Sequence, residues 1–169
     1  MWRWSAKCCE GSQWCAHATI RLLLPFGGTS VLAYQMHITP ITTADCDHLA
    51  VFQPLGWDAV PSTFRSFLET PCCDPVKGEV HGVLAAVGTI IYHVDTAWLA
   101  MIIVHPDHRG RGYGKAITQA LLDRIDRTRY RTVYLDATDM GFPVYQSLGF
   151  VEEVRYGHYS LASAGRLTG

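Results

Sequence analysis

No stretch of this chain reaches the ~18 uncharged apolar residues that a transmembrane helix needs. Charge of one sign is missing too. Fourteen Lys and Arg stand against fifteen Asp and Glu, a net charge of −1, so no global electrostatic case exists for nucleic acid or an anionic membrane as partner. The six cysteines form no C-x-x-C: Cys8-Cys9 and Cys72-Cys73 are adjacent pairs, and Cys15 and Cys46 stand singly. That spacing argues against a disulfide framework and for reduced thiols in a cytoplasmic protein. Repeats and low-complexity arrays are absent. At 169 residues the length suits one domain with a sizeable core.

What is present is concentrated in residues 98–122, WLAMIIVHPDHRGRGYGKAITQALL. Residues 98–104 carry no charge and read as a strand buried on both faces. Pro106 cannot donate to a ladder, so the strand should stop there. Arg109, Gly110, Arg111, Gly112, Tyr113, Gly114 and Lys115 follow. Gly112 and Gly114 lack a Cβ, which lets the backbone approach a ligand closely or take positive φ. Backbone N–H groups of residues 110–115 would then stand at the positive end of the next helix, an arrangement that binds anions. Arg109, Arg111 and Lys115 add charge at the same place. Ile117, Ala120, Leu121 and Ile125 are spaced for one buried helix face, with Asp123, Arg124 and Arg127 outside.

R-G-R-G-Y-G at 109–114, entered through I-I-V-H-P-D-H, resembles the [RQ]-x-x-G-x-[GA] loop of the GNAT superfamily of acetyl-CoA-dependent N-acetyltransferases. A second motif supports it. The run L-D-A-T-x-x-G-x-x-x-Y-x-x-L-G-F at 135–150 resembles that superfamily's fifth strand, fourth helix and start of the sixth strand. Pro143 suits the first turn of that helix and Gly149 the position just past its end. The resemblance implies a mixed α/β fold with a central, mostly antiparallel sheet of six to seven strands and about four helices. It implies acetyl-CoA as acyl donor, held by the 109–115 loop and by backbone groups of Ile102, Ile103 and Val104. Tyr145 would protonate the leaving thiolate. Free phenol and thiol titrate near ~10 and ~8.5, so that transfer is uphill by about 2 kcal/mol.

The remaining segments are less regular. Residues 1–35 hold Trp2, Trp4, Trp14 and three cysteines, with Glu10 the lone acid, and show no clear period. They read as a disordered tail or as residues upstream of a true start at Met36, with a targeting peptide a distant third. The acetyltransferase domain is therefore drawn at residues 36–165. HITPIT reads as a first strand, and ADCDHLAVF as an amphipathic helix capped by Thr42 or Thr43, with Leu49 and Phe52 inward. Residues 62–68 read as a second helix. Its Phe64 and Phe67, with Trp57, either wall an acceptor groove or belong to the core, the core being favoured two to one. Strands are expected at 76–80, 83–92 with a bulge at Gly88, and 132–137. The arginines of 127–131 suit a solvated helix end.

The expected reaction is direct attack of a primary amine on the acetyl thioester, with a small-molecule acceptor favoured over a protein. Residues 98–104 lack the glutamate that many of the superfamily's members use as base, which leaves Asp95, His93 or Asp139 acting through water. His105 and His108 are read as surface groups of the loop, and no metal site is expected. Two other classes are weighed: a non-catalytic acyl-CoA-binding module, and an unrelated nucleotide-binding domain. The latter lacks both a Walker lysine-serine pair and G-x-G-x-x-G spacing. The oligomeric state stays open, a homodimer among the alternatives.

Overall fold

The computed structural model describes residues 16–23, 36–55 and 60–157. Seven strands form one sheet: β1 (Ala16–Leu23), β2 (Met36–Pro40), β3 (Cys73–Val80), β4 (Val83–Tyr92), β5 (Thr96–Val104), β6 (Thr132–Thr138) and β7 (Val151–Gly157). Their order across the sheet is β2-β3-β4-β5-β6-β1-β7. Every neighbouring pair is antiparallel except β5 and β6. Among the described residues three α-helices accompany it: α1 (Val60–Leu68), α2 (Tyr113–Arg124) and α3 (Phe142–Gln146).

The sheet separates two apolar layers. On one face, α2 buries Ile117, Leu121 and Leu122 against Val76, Ile90, Leu99 and Leu135. On the other, Phe64 and Phe67 of α1 join Leu49, Phe52, Val87 and Ile103. Phe64 and Phe67 are thus core residues, stacked edge to face at 5.5 Å. Trp57 lies outside the described residues.

The segment expected as the first helix is two 3₁₀ turns, Thr43–Asp45 and His48–Leu55. Cys46, Leu49 and Phe52 are fully buried and recur every third residue, which suits three residues per turn rather than 3.6. Thr42 does stand at the start of this segment. Its N–H and hydroxyl both donate to the Asp45 carboxylate, at 2.8 and 2.7 Å.

Ala16–Leu23 lies within the stretch expected to be a disordered tail or residues upstream of the true start. This segment is β1, paired antiparallel to β6 on one side and β7 on the other. Ala18, Ile20 and Leu22 are buried, so the strand does alternate with a period of two. Arg21, which breaks the apolar run in sequence, ion-pairs with Glu153 of β7.

The bulge near Gly88 is real, but the extra residue lies on β5. Val87 pairs with Ile103 and Thr89 with Ala100, leaving Met101 and Ile102 opposite Gly88 alone. Met101 takes φ +53 there. A Cβ on Gly88 would meet Leu121 Cδ1 at 2.9 Å, so a larger residue here would push on the side chains of α2.

Candidate active site

Strands β5 and β6 pair only over Thr96–Leu99 and Thr132–Leu135. Beyond that point β5 runs on to Val104 beside β4, and β6 runs on to Thr138 beside β1. The two strands part, and their facing edges border an opening. For this reason β5 is not buried on both faces as expected: Leu99 and Ile103 are buried, while Ala100, Met101, Ile102 and Val104 are half-buried. Ile103 points into the α1 layer, and Ile102 and Val104 pack toward the α2 layer. With those side chains engaged, backbone groups are what this edge offers a ligand.

The glycine loop closes the C-terminal end of the opening. Pro106 starts a 3₁₀ turn, Pro106–His108, and Gly110 and Gly112 follow with φ +71 and +81. Gly112 caps α2, whose first helical bond runs from Ala116 N–H to Gly112 C=O at 3.0 Å. The leading N–H groups of such a helix have no intrahelical acceptor. A Cβ on Gly114 would sit 3.7 Å from Val104 Cγ2, so this turn rests directly on the end of β5. Among the predicted cations, Arg111 is exposed and Lys115 half-buried. Arg109 instead folds back, its Nε donating to Val104 C=O at 3.1 Å. Tyr113 is buried, which leaves its backbone as the group near the loop surface. His105 and His108 belong to a ladder of rings, Phe52–His105–His108–Tyr113, with successive centroids 6.1–6.2 Å apart. They pin the loop to both layers.

Tyr145 sits on α3, which Pro143 opens and Gly149, at φ +90, ends. Its ring lies over Gly141: a Cβ there would meet Tyr145 Cε2 at 2.9 Å and Thr138 Oγ1 at 3.6 Å. The phenol is therefore held beside the C-terminal end of β6, next to the opening. Burial pushes its pKa up to about 12. At neutral pH it is a protonated donor.

The bases considered from sequence fare differently. His93 and Asp95 lie in the β4–β5 turn, where His93 N–H binds Thr96 C=O. That is the far end of β5, more than ~13 Å along the strand from Ala100. Asp139 is 3.6 Å from Arg155 at the tip of β6. Asp136, which the sequence did not single out, is the first β6 residue past the last pair with β5. It is exposed, and it accepts a 2.8 Å hydrogen bond from Thr19 Oγ1 of β1. Tyr156 of β7 also hydrogen-bonds to it; burial first, then that bond, push the tyrosine up to about 12.

A separate cleft of about 450 Å³ opens on the other side of β5, between the 3₁₀ turns and the β3–β4 turn, with His105 and His108 on its wall. Of its three carboxylates, Asp45 and Glu79 are paired with Lys77, at 2.7 and 3.2 Å, and Asp107 lies 3.7 Å from His105 Nδ1.

Comparison with known proteins agrees with this geometry. Residues 76–152 match the family described as Acetyltransferase (GNAT) domain. A [ribosomal protein bS18]-alanine N-acetyltransferase of Escherichia coli strain K12 is 29% identical over 89 residues, which are 51% of this chain and 60% of that protein. The chain thus spans less than two thirds of that relative. Among solved structures, a predicted acetyltransferase from Clostridium acetobutylicum, crystallised with acetyl-CoA, superposes with a TM-score of 0.60 at 16% identity, over 70% of this chain and 91% of that one. The E. coli ribosomal-protein-S18-alanine N-acetyltransferase superposes with a TM-score of 0.61 at 24% identity, over 70% and 79%. Residues 76–152 thus resemble the GNAT acetyltransferase domain, and the fold is the one those solved structures share.

Proposed function

We propose that the protein transfers an acetyl group from acetyl-CoA to a primary amine. The observation that carries this reading is the opening between β5 and β6, closed at one end by a glycine-capped helix N-terminus. A long thioester with a pyrophosphate suits both parts. The N–H groups of residues 110–115 and the cations Arg111 and Lys115 would hold its phosphates, and the β5 edge at Ile102, Ile103 and Val104 would hold its amide arm. Arg109 supports the loop from behind.

Tyr145 faces the leaving sulfur. With the phenol near 12 and a thiol near ~8.5, full proton transfer is uphill by about 5 kcal/mol rather than about 2. Tyr145 therefore acts by hydrogen-bonding the sulfur as charge builds on it, and gives up its proton late. Asp136 takes the proton of the attacking nitrogen, which becomes acidic once it bonds to the carbonyl carbon.

The sequence favours a small-molecule amine. A peptide α-amine is the second reading, for two reasons. The relatives whose names state an acceptor act on a ribosomal protein alanine. A carboxylate is also a weak base, and an α-amine near ~7.8 is far more often unprotonated at neutral pH than an alkylamine near ~10.4.

Calorimetry of the full chain with acetyl-CoA, using ATP and NAD as controls, tests the cofactor. Thiol release with aliphatic diamines, amino sugars and alanine-ended peptides then tests the acceptor. Binding of acetyl-CoA without turnover of any amine would favour an acyl-CoA-binding module. Binding of ATP or NAD alone would discard the proposal.

A further inference from the structure

Thr19 and Tyr156 both lie outside the stretch of 76–152 that matches the family, yet both reach Asp136. Thr19 is directly opposite Asp136 in the β1–β6 ladder. The residues are 117 apart in sequence, and the hydroxyl donates to Oδ1 at 2.8 Å. Tyr156 stands opposite His17, two positions along β1 from Thr19, and side chains two apart in a strand share a face. Thr19, Asp136 and Tyr156 therefore form one cross-strand cluster on the sheet face opposite the α2 layer. A bulge lies nearby: Thr19 pairs with Val154 and Ile20 with Glu152, so Glu153 is the extra residue on β7, immediately before Val154. Bulges re-aim the side chains that follow them.

An aspartate on an exposed strand turns freely about two side-chain torsions. Donors from β1, the neighbouring strand, and from β7 beyond it remove that freedom and fix the carboxylate on the edge where β5 and β6 separate. Resting on the assignment of Asp136 as proton acceptor, we infer that Thr19 is a positioning residue for the reaction, which makes the N-terminal strand part of the active site as well as of the core. A hydroxyl, rather than bulk, is what the position requires. Thr19→Val keeps the shape and β-propensity and removes the donor; Thr19→Ser keeps the donor.

The test uses the full chain, acetyl-CoA, and two acceptors, an alanine-ended peptide and a linear aliphatic diamine. Thr19→Val should lower kcat about tenfold with the KM for acetyl-CoA unchanged, while Thr19→Ser stays within about twofold of wild type. Asp136→Asn should lower kcat at least a hundredfold, and Thr19→Val added to it should cause no further loss. Thermal melts of each variant report the fold. If Asp136→Asn is inactive but Thr19→Val turns over like wild type, the positioning role is overturned and the proton acceptor stands. If Asp136→Asn keeps wild-type turnover, the assignment of the base falls and the inference with it. Equal losses in Thr19→Val and Thr19→Ser would show that packing, not the hydroxyl, matters, and would overturn the inference. Absence of turnover by the wild-type protein with both acceptors overturns the proposal on which it rests.

Discussion

Leu99 and Leu135 are the last residues to pair across β5 and β6, and both are buried to within 2%. Immediately past them β5 bulges at Met101 and Ile102, opposite Gly88. The bulge bends β5 at the place where it leaves β6. Gly88→Ala would set a Cβ 2.9 Å from Leu121 Cδ1 and 3.4 Å from Ile102 Cγ1. Overpacking of this kind costs about 1–3 kcal/mol. Because Ile102 lies on the edge of the opening, acetyl-CoA affinity should fall with stability. Chemical denaturation together with calorimetry checks both effects. Lost stability with unchanged affinity would separate the bulge from the site.

Tyr145→Phe removes the phenol and leaves the ring that packs on Gly141 and Phe150. Turnover should drop about a hundredfold with little change in acetyl-CoA affinity, the usual scale for loss of a general acid. The elevated pKa gives a second signature. A phenol held near 12 stays protonated through pH 10, so no loss of wild-type activity below pH 10 should trace to Tyr145. An alkaline limb present in the wild type below pH 10 and missing from Tyr145→Phe would contradict the burial that defines this group.

Gly112 and Gly82 share a backbone conformation, φ +81 and +77, but not a location. Alanine at either position costs about 1–2 kcal/mol from the left-handed region alone. At Gly82, in the β3–β4 turn, an added Cβ meets nothing within 4 Å. At Gly112 the methyl would stand at the N-terminus of α2. Both variants should lose similar stability in urea, while only Gly112→Ala should bind acetyl-CoA at least tenfold more weakly. Equal affinities in the two would remove the loop from the phosphate seat.

Much of this architecture is legible along the chain because its signals are local. Val83–Tyr92 forms the strand expected at 83–92, and Pro143 and Gly149 bracket α3 as punctuation suggests. The failures have physical causes. At Cys46, Leu49 and Phe52 a period of three resembles one of 3.6 over so short a run. In β1 the alternation of Ala18, Ile20 and Leu22 hides in an apolar patch that Arg21 interrupts, its charge met by Glu153 of β7. Asp136 is the aspartate of the L-D-A-T run, but nothing in that run marks it as a base. Its importance comes from strands that stop pairing at Leu135 and from Thr19, far away in sequence.

Lys77 of β3 ties Asp45 to that strand and pairs with Glu79 beside it, and the Lys77 and Asp45 side chains are each only 16% exposed. Burial raises the Asp45 pKa, but hydrogen bonds from Lys77 and Thr42 outweigh it and hold the carboxyl at about 2. The hydrogen bond to Asp45 raises Lys77 against the opposing effect of burial. A depressed carboxylate stabilises the fold above its unfolded value, near ~3.9, and loses that contribution as pH falls toward 2. A raised lysine stabilises below its unfolded value, near ~10.4, and loses that contribution as pH rises through its folded one. Asp45→Asn should therefore cost about 1–2 kcal/mol at pH 7, and the difference from wild type should close near pH 2. Urea unfolding at both pH values measures it. A difference independent of pH would mean that packing, not charge, is at stake.

Deleting residues 1–35 tests the place of β1 in the fold. A chain beginning at Met36 loses Ala18, Ile20 and Leu22, all buried, and with them about 1.5–3 kcal/mol for each of the two larger side chains. It also loses both ladders of β1, exposing the edges of β6 and β7 together. Two unpaired edges facing one gap invite association with another chain. The trimmed protein should melt well below the full one, or aggregate, and its β6 amides should exchange faster with solvent. If it melts at the same temperature and binds acetyl-CoA as tightly, β1 is dispensable and β6 and β7 close on each other without it. Thr19 would then have no part in the reaction either, so one deletion bears on both the core and the site.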